Sequence, residues 1–561
     1  MSGSTIRNLF ANFTHQQAND LIYFDSAATS LKLISVISAT EKYYQVNTTN
    51  VHRSSYKVAE QVTQQFEQSR RDVQQFINAK SEQEIIWTKG ATDSLNLLAT
   101  CLGKINFFDP CRNEIIIAAS EHHSNIVPWQ ELAQRLGLII KVMPVNSKGV
   151  LDLAQSLPLI TNKTALVAVA HVSNALGNIN PIQDLIQQAK LFGALTVIDG
   201  TQAVAHMPID VQKLDCDFYI FSGHKMFGPT GIGILYGKLD LLNKLPPYQY
   251  GGEMVKTVSF NQGATYQASP LKFEAGTPNI AGVLGLSEAI KFIQTNSHLI
   301  TSIEADLYQE LLRILTDIPE VILWGDTSNS ISLQAFTVKG LNPYDLAVLL
   351  DQHNIALRVG HHCAMPLFEA LAIDGVLRVS LACYNTQYEL QLFAIALKNS
   401  IASLLNHDQE TLTVESAEQQ TDKVHLGSIA QKVMIAKGWD NTYRQLMLAG
   451  KNLNRLNEQD KTSDTQVFGC ESQVWIKCEL VNGQLVLQGD SASKIVRGLL
   501  AVIFEALDNR DISQIIGFDL QEYLSHLGLS RHLSESRGNG LAAVFKKIVA
   551  FCELKLPPIR S

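Results

Sequence analysis

No stretch of the chain approaches the ~20 consecutive apolar residues that span a bilayer. That excludes a helical membrane protein. There is no Lys/Arg-rich stripe interleaved with aromatics, and 45 Lys and Arg stand against 53 Asp and Glu, a formal net charge of −8. Nucleic acid is therefore a poor fit as a main partner. The eight cysteines (Cys101, Cys111, Cys216, Cys363, Cys383, Cys470, Cys478 and Cys552) are scattered, with no C-x-x-C pair. Such spacing argues for a reducing compartment and against a disulfide framework or a zinc site. The first residues carry no signal-peptide apolar core. They are short of acids until Asp20, a transit-peptide trait, yet Ile22-Tyr23-Phe24-Asp25 already reads as a strand of the fold. The expectation is a cytoplasmic protein. No unit of roughly 20–50 residues recurs, so a solenoid is excluded.

What is present is a chain of 561 residues with 46% hydrophobic content, enough for two to four domains. From Leu21 to about Tyr236, short apolar runs alternate with helical periodicity. Strands are predicted at Leu21–Asp25, Ile85–Thr88, Glu114–Ala119, Leu138–Val145, Ala165–His171, Leu195–Asp199, Phe218–Phe221 and Gly233–Tyr236. Several are continuously apolar, as where helices cover both sheet faces. Segments such as Ile182–Phe192 are long enough for crossover helices. This predicts an α/β fold whose large domain, about 21–277, holds a mostly parallel sheet with helices on both sides.

From about Pro278 to Leu405 the order changes. Helical runs at Val283–Thr295 and Ile303–Thr316 precede strands at Ser330–Val338, Ala356–Arg358 and Leu377–Leu381, and a last helix starts near Thr386. A small α+β domain is expected over about 278–405, joined by the N-terminal residues. Residues 406–426 lack apolar periodicity and are rich in Gln, Glu, Thr and Asp, as a linker is. Beyond them, Val474–Leu480 and Gln484–Gly489 flank Asn482-Gly483, a hairpin signal. Helical stretches at Ile429–Lys437, Thr442–Leu453, Ser493–Leu507 and Leu541–Phe551 surround it. Residues 427–561 are read as a separate α+β domain, after a first region of 1–405.

Chemistry concentrates at Ser222-Gly223-His224-Lys225, between a strand-like run and the turn Gly228-Pro229-Thr230-Gly231. A lysine flanked by hydrogen-bonding groups is what pyridoxal phosphate (PLP) chemistry needs: an amine for the aldehyde, with Ser and His within reach of the phosphate. Taken alone, such a lysine is more often a solvated surface charge. Asp199, ending an apolar run, adds weight. A carboxylate at the carboxyl end of a sheet strand lies where α/β folds bind ligands, and it can pair with a pyridinium nitrogen. Gly90-Ala91-Thr92-Asp93 follows a strand and opens a helix, a ready phosphate site or simply a helix cap. Glu121-His122-His123 follows another strand. A histidine there can stack on a flat ring, or be an ordinary loop residue. Asn174 and Gln202 can reach a cofactor oxygen or a substrate.

Two cysteines stand apart. Arg358-Val359-Gly360-His361-His362-Cys363-Ala364 places a thiol beside two histidines. It reads as a metal ligand, a buried thiol or a nucleophile. The further ligands that a metal needs are not at recognisable spacing, whereas nearby His⁺ or Arg⁺ favours a thiolate. Arg378 suits a substrate carboxylate or a surface ion pair. Gly469-Cys470-Glu471-Ser472-Gln473-Val474-Trp475 puts the second thiol in a loop before the hairpin. A structural cysteine is the default there, and the loop position favours an accessible one.

Together these motifs resemble a family. Asn50–Arg53 (N-V-H-R), Gly90–Thr92 (G-A-T), Glu121–Trp129 (E-H-H-S-N-I-V-P-W), His171–Asn174 (H-V-S-N), Ser222–Lys225 (S-G-H-K), Phe273–Pro278 (F-E-A-G-T-P) and Arg358–Ala364 (R-V-G-H-H-C-A) look like a group II, Suf-type cysteine desulfurase. That family is a PLP-dependent fold-type I enzyme group within the class V aminotransferases. The resemblance covers roughly residues 5–405. Residues 428–561 resemble a SufE-type sulfur acceptor through Gly469–Trp475, Gly489–Ser491, Ile495–Leu500 and Ser536–Leu541. The chain thus looks like a fusion of desulfurase and acceptor.

The resemblance implies roles. Lys225 is the Schiff-base lysine and proton shuttle, Asp199 pairs with the ring nitrogen, Gln202 contacts the ring oxygen and His122 stacks on the ring. Thr92, Ser222 and His224 bind the phosphate, with Ala91 standing where some relatives carry a second Thr. Thr277 reaches the phosphate of the other subunit of a homodimer. Asn174, Arg358 and Arg378 hold the substrate carboxylate. Cys363 is the nucleophile and Cys470 the acceptor. Ser54-Ser55-Tyr56 and Tyr250-Gly251-Gly252 depart from the family pattern. The implied reaction converts L-cysteine to L-alanine. Sulfur passes to Cys363, then Cys470, and on to an iron–sulfur scaffold protein. A ~20-residue linker spans about 25 Å r.m.s. and gives an effective concentration in the millimolar range. Two alternatives stand beside this reading. One is a selenocysteine lyase or another class V PLP enzyme. In the other, the C-terminal domain only docks or regulates.

Overall fold

Alternation along buried strands sets the architecture. In the computed structural model, which describes residues 6–14, 21–53, 55–105, 108, 111–406, 427–436, 439–469, 472–481, 484–507, 510–529 and 535–555, seven of the described strands form one sheet. Numbering from β1 (Ile22–Tyr23), these are β2 (Ile85–Thr88), β3 (Glu114–Ala118), β4 (Ile139–Met143), β5 (Thr164–Ala170), β6 (Leu195–Asp199), β7 (Phe218–Ser222) and β8 (Gly233–Gly237). Their order is β2-β8-β7-β6-β5-β3-β4. All neighbours from β4 to β7 are parallel, and β8 runs antiparallel to both β7 and β2. Ile116, Val167, Ile198 and Tyr219 enter one core with helices 182–191 and 280–316. Their neighbours Ile117, Leu166, Val197 and Phe218 enter another with Leu95, Leu98 and Trp129. With both faces covered, the strands carry continuous apolar runs.

β1 is not part of this sheet. It pairs in parallel with Ile355–Ala356, as befits an N-terminal segment that joins the smaller domain. A four-stranded sheet of 321–324, 333–338, 376–380 and 358–360 follows in that spatial order. The expected strand at Ala356–Arg358 is two short strands, Ile355–Ala356 and Arg358–Gly360. The two expected helical runs between 283 and 316 are one helix, Ile280–Thr316. A polar stretch around Asn296 interrupts the apolar pattern without breaking the backbone, and Asn296 Nδ2 donates to the Phe292 carbonyl at 2.9 Å. A hairpin of 255–259 and 263–266, exposed on both faces, had no apolar alternation to announce it.

The chain divides into two compact units, Met1–Thr337 with Asn354–Ile395, and Val338–His353 with Ala396–Ser561. In the second, strands 466–467, 474–481 and 484–491 form an antiparallel sheet. Val481 pairs with Gln484 across Asn482-Gly483, which lies outside the described residues. Helices 439–451 and 494–507 touch through a glycine. A Cβ on Gly498 would come within 2.0 Å of the Leu446 carbonyl oxygen. The buried Asp490 carboxylate accepts from Arg455 at 2.9 and 3.2 Å, and Lys461 pairs with it at 2.9 Å. Among the described residues no helix is long and apolar enough to cross a membrane.

One ion pair ties the 57–76 helix to the edge of the large sheet. Arg70, 1% exposed, donates to both Glu274 oxygens at 2.7 and 3.0 Å and to the Ile85 carbonyl at 2.8 Å. Glu274 also accepts from the Trp87 N–H at 2.8 Å. Removing Glu274 leaves the buried Arg70 guanidinium with only the longer Glu67 contact, at 3.4 Å, as an acidic partner. Glu274→Ala is expected to destabilise the first unit by about 3–5 kcal/mol, read as a lower urea midpoint. The double variant Arg70→Met/Glu274→Leu is expected to recover most of that loss.

Candidate active site

The carboxyl ends of β5, β6 and β7 open on one pocket of about 220 Å³. Its lining includes Ala91, Thr92, His122, Asn174, Asp199, Gln202, Ser222, His224, Lys225, Arg358, Cys363 and Arg378, and with Ala27 and Ala28 it draws on residues from 27 to 378 in the chain. Thr277 lies outside it and is exposed. Cys470 and Ser54 lie outside the described residues.

Lys225 ends a single 3₁₀ turn that follows β7. Burial, with Arg378 adding to it and Asp199 opposing, pushes its amine down to about 8. Such an amine is still mostly protonated at neutral pH, but its neutral fraction is far larger than that of a lysine in water, which favours attack on a carbonyl. Asp199 is 7% exposed, and one of its oxygens accepts the Thr201 N–H at 3.0 Å. His122 caps the turn His123–Asn125, and its Nδ1 accepts the Ser124 N–H at 3.0 Å. An acceptor nitrogen carries no proton, and burial, with Lys225 beside it, holds the imidazole down at about 4. It presents a neutral ring to the pocket.

The end of the pocket at Ala91 is built on glycine. Gly90 has φ +154° and precedes the helix Ala91–Leu102. A Cβ on Gly233 would meet the Gly90 Cα at 2.4 Å, so only glycine lets β8 approach this turn. The Ala91 N–H donates to Ser222 Oγ at 2.8 Å, and Thr92 stands beside it at the helix N-terminus, where anions are favoured. Burial, then Lys225, lowers His224 to about 4. Its carbonyl, immediately before Lys225, receives Ser30 N–H at 3.0 Å, Lys32 Nζ at 2.9 Å, and Thr29 Oγ1 and Ser30 Oγ at 3.1 Å each. That grip fixes the lysine turn to the N-terminal segment.

Opposite lies a pair of arginines. Arg358 and Arg378 face each other across neighbouring strands, an arrangement of like charges that is unfavourable unless neutralised. Asp25 neutralises it, with one oxygen 3.0 Å from Arg378 and the other 3.2 Å from Arg358. Arg378 also donates to the Asn174 carbonyl at 2.7 Å, and burial lowers it to about 10. Its Nε is buried without a partner among the described residues. Gln202 Nε2 donates to the Ala27 carbonyl at 2.8 Å. Cys363 is exposed at the pocket's rim, just before the helix Met365–Leu371.

The sequence reading missed several of these groups. Asp25 reads in the sequence only as the end of a strand, because its partner Arg378 is 353 residues away. Thr201, whose buried hydroxyl has no partner among the described residues, and Ser124 also line the pocket. Their positions next to Asp199 and His122 were the signal available. Glu121, fully enclosed, accepts from the Ala170 N–H at 2.9 Å and from Asn125 at 2.6 Å, and burial raises it to about 8.

Residues 22–393 match the Aminotransferase class-V family, and residues 427–552 match the SufE family, described as an Fe-S metabolism associated domain. The chain belongs to the class-V aminotransferase family, whose members depend on PLP. Within it, the relatives are cysteine desulfurases, so the chain joins a desulfurase-type region to a SufE region. It is 44% identical over 379 residues to a cysteine desulfurase of Yersinia pestis (strain Pestoides F), covering 67% of this chain and 93% of that one. It is 43% identical to that of Pectobacterium atrosepticum, covering 67% and 92%. The cysteine desulfurase CsdA (S-sulfonic acid) from Escherichia coli superposes with a TM-score of 0.66 at 37% identity, covering 72% of this chain and 99% of that one. The apo cysteine desulfurase from Thermococcus onnurineus NA1 gives 0.67 at 37%, covering 71% and 98%.

The residues present fit PLP. A neutralisable amine, a carboxylate across from it, a neutral imidazole and a phosphate-binding helix start share one pocket. The partnerless Thr201 hydroxyl and Arg378 Nε leave buried donors available to a ligand. In the cofactor-free protein, acylation of Lys225 is expected to be half-maximal near pH 8. Asp199 favours the protonated amine, so Asp199→Asn is expected to shift that midpoint down, by about one unit. Competitive acetic anhydride labelling against pH, read by peptide mass spectrometry, checks both.

Proposed function

We propose that this chain is a cysteine desulfurase with its own sulfur acceptor. It takes sulfur from L-cysteine, leaves L-alanine, and delivers the sulfur toward iron–sulfur cluster assembly. The observation that carries the reading is the meeting of Lys225, Asp199, His122 and Cys363 in one pocket. PLP, when bound, supplies an electron sink for the Cα–H bond of an amino acid.

Lys225 holds the cofactor and then takes the Cα proton at Nζ. With PLP bound, Asp199 would keep its ring nitrogen protonated, Gln202 would take the ring oxygen, and His122 would offer its neutral imidazole to the ring. Thr92, Ser222 and His224, with the backbone at Ala91, would bind its phosphate. Arg378, Arg358 and Asn174 orient the substrate carboxylate. Cys363 thiolate attacks the substrate sulfur. The S–S bond forms as the C–S bond breaks, the electron pair moves to Cβ, and a proton there completes alanine. Cys470 thiolate then attacks the outer sulfur, and Cys363 leaves as thiolate.

We assign residues 1–405 to the desulfurase, 406–426 to the linker and 427–561 to the acceptor. The protein acts in the cytoplasm as a homodimer, with Thr277 reaching the partner's phosphate site, and an iron–sulfur scaffold takes the sulfur.

Alanine release from L-cysteine under reductant tests this. Lys225→Ala and Cys363→Ser are each expected to lose ~10³-fold or more, and Cys470→Ser to keep the reductant-driven rate. Sulfur transfer to Cys470 is expected to be independent of protein concentration. Turnover of selenocysteine alone, with none of cysteine, would overturn the assignment. Transfer that requires added separate acceptor domain would remove the built-in role.

A further inference from the structure

The loop that carries Cys363 bends where side chains resist bending. His362 and Cys363 lie at φ +48° and +56°. Two adjacent non-glycine residues in that region persist only when their surroundings hold them. Three hydrogen bonds do so. Asn174 Nδ2 donates to the His362 carbonyl at 2.6 Å. The His123 N–H donates to the Cys363 carbonyl at 2.7 Å. His123 Nε2 accepts the Met365 N–H at 3.1 Å. The last bond satisfies the leading amide of the helix Met365–Leu371, which has no partner within the helix. One histidine, far away in sequence, therefore holds both the Cys363 carbonyl and the amide two residues beyond it.

We propose that His123 is a positioning residue: in its neutral form, with the proton on Nδ1, it clasps the Cys363 loop and sets where the thiol stands. An imidazolium has no acceptor, so protonation opens the Nε2 arm and leaves only the backbone arm. Burial, with His361 beside it, already disfavours that charge. The His122 ring is 6.3 Å from that of His123. The turn packs on β5, which brings no ionisable group, and on helices 91–102 and 127–136. The first brings Asp93, which accepts the Lys89 N–H at 3.0 Å, and Cys101, which donates to the Pro246 carbonyl. The second brings Glu131 and Arg135, and the clasped helix carries Glu369. The catalytic meaning of the clasp rests on reading Cys363 as the nucleophile. Amide exchange reads the clasp itself whether or not Cys363 ever accepts sulfur, so the two can fail separately.

The test is hydrogen exchange of the Met365 amide in the full chain, followed by mass spectrometry and corrected for intrinsic exchange. His123→Ala is expected to speed it by about tenfold. His123→Gln, which keeps an acceptor, is expected to restore most of the protection. In the unmodified protein, protection is expected to fall as pH drops below 6.5, and in His123→Gln to stay flat. Iodoacetamide labelling of Cys363 is expected to change rate with the same pattern. Should His123→Ala fail to fold, the glutamine variant and the pH series decide alone. Wild-type protection that is flat with pH, or a glutamine variant whose protection also falls as pH drops, would overturn the proposal.

Discussion

The pocket is built from more positive charge than it neutralises, and its use depends on that imbalance. Lys225, Arg358 and Arg378 converge there, answered by Asp199 within and by Asp25 behind the arginines. Burial is the first cause of every lowered value: about 10 for Arg378, about 8 for Lys225, about 4 for His122 and His224. A desolvated cluster short of negative charge favours anions. The same desolvation keeps the imidazoles neutral. His122 can face a cofactor ring as an uncharged plate because its Nδ1 is already committed to the Ser124 amide.

The fold supplies this cluster by bringing distant segments to one sheet edge. Parallel strands put Asp199 and the lysine turn side by side at their carboxyl ends, where α/β folds bind ligands. The antiparallel β8 adds something different. Its Gly233 allows the Gly90 turn to approach, which fixes the start of the helix Ala91–Leu102 against Ser222. The segment 25–32, from outside the large sheet, closes the arrangement. Asp25 holds the arginines, while Thr29, Ser30 and Lys32 hold the carbonyl before Lys225.

Local pattern made much of this legible. β2 and β6 fall where apolar runs placed them, because a strand buried on both faces must be apolar throughout. Thr92, His122, Asn174, Asp199, Ser222 and Lys225 line one pocket because they end or follow strands at the same end of the large sheet, and Arg358 and Arg378 join them from the four-stranded sheet. What the sequence concealed was pairing over distance. Asp25 has no local mark of its task, since both arginines it serves lie beyond residue 350. Nor does His123 announce a bond to Met365. The helix 280–316 reads as two runs in the sequence because apolar periodicity reports the environment of side chains, not backbone continuity. The exposed hairpin 255–266 buries neither face, so no alternation marked it.

The central claim is that one thiol at the pocket accepts sulfur and a second receives it. The direct measurement is peptide mass spectrometry of the whole protein after brief exposure to L-cysteine without reductant. The account predicts one extra sulfur on the peptide of Cys363 and one on the peptide of Cys470. Extra sulfur on Cys363 alone would contradict the built-in acceptor. Extra sulfur on neither would contradict the desulfurase itself.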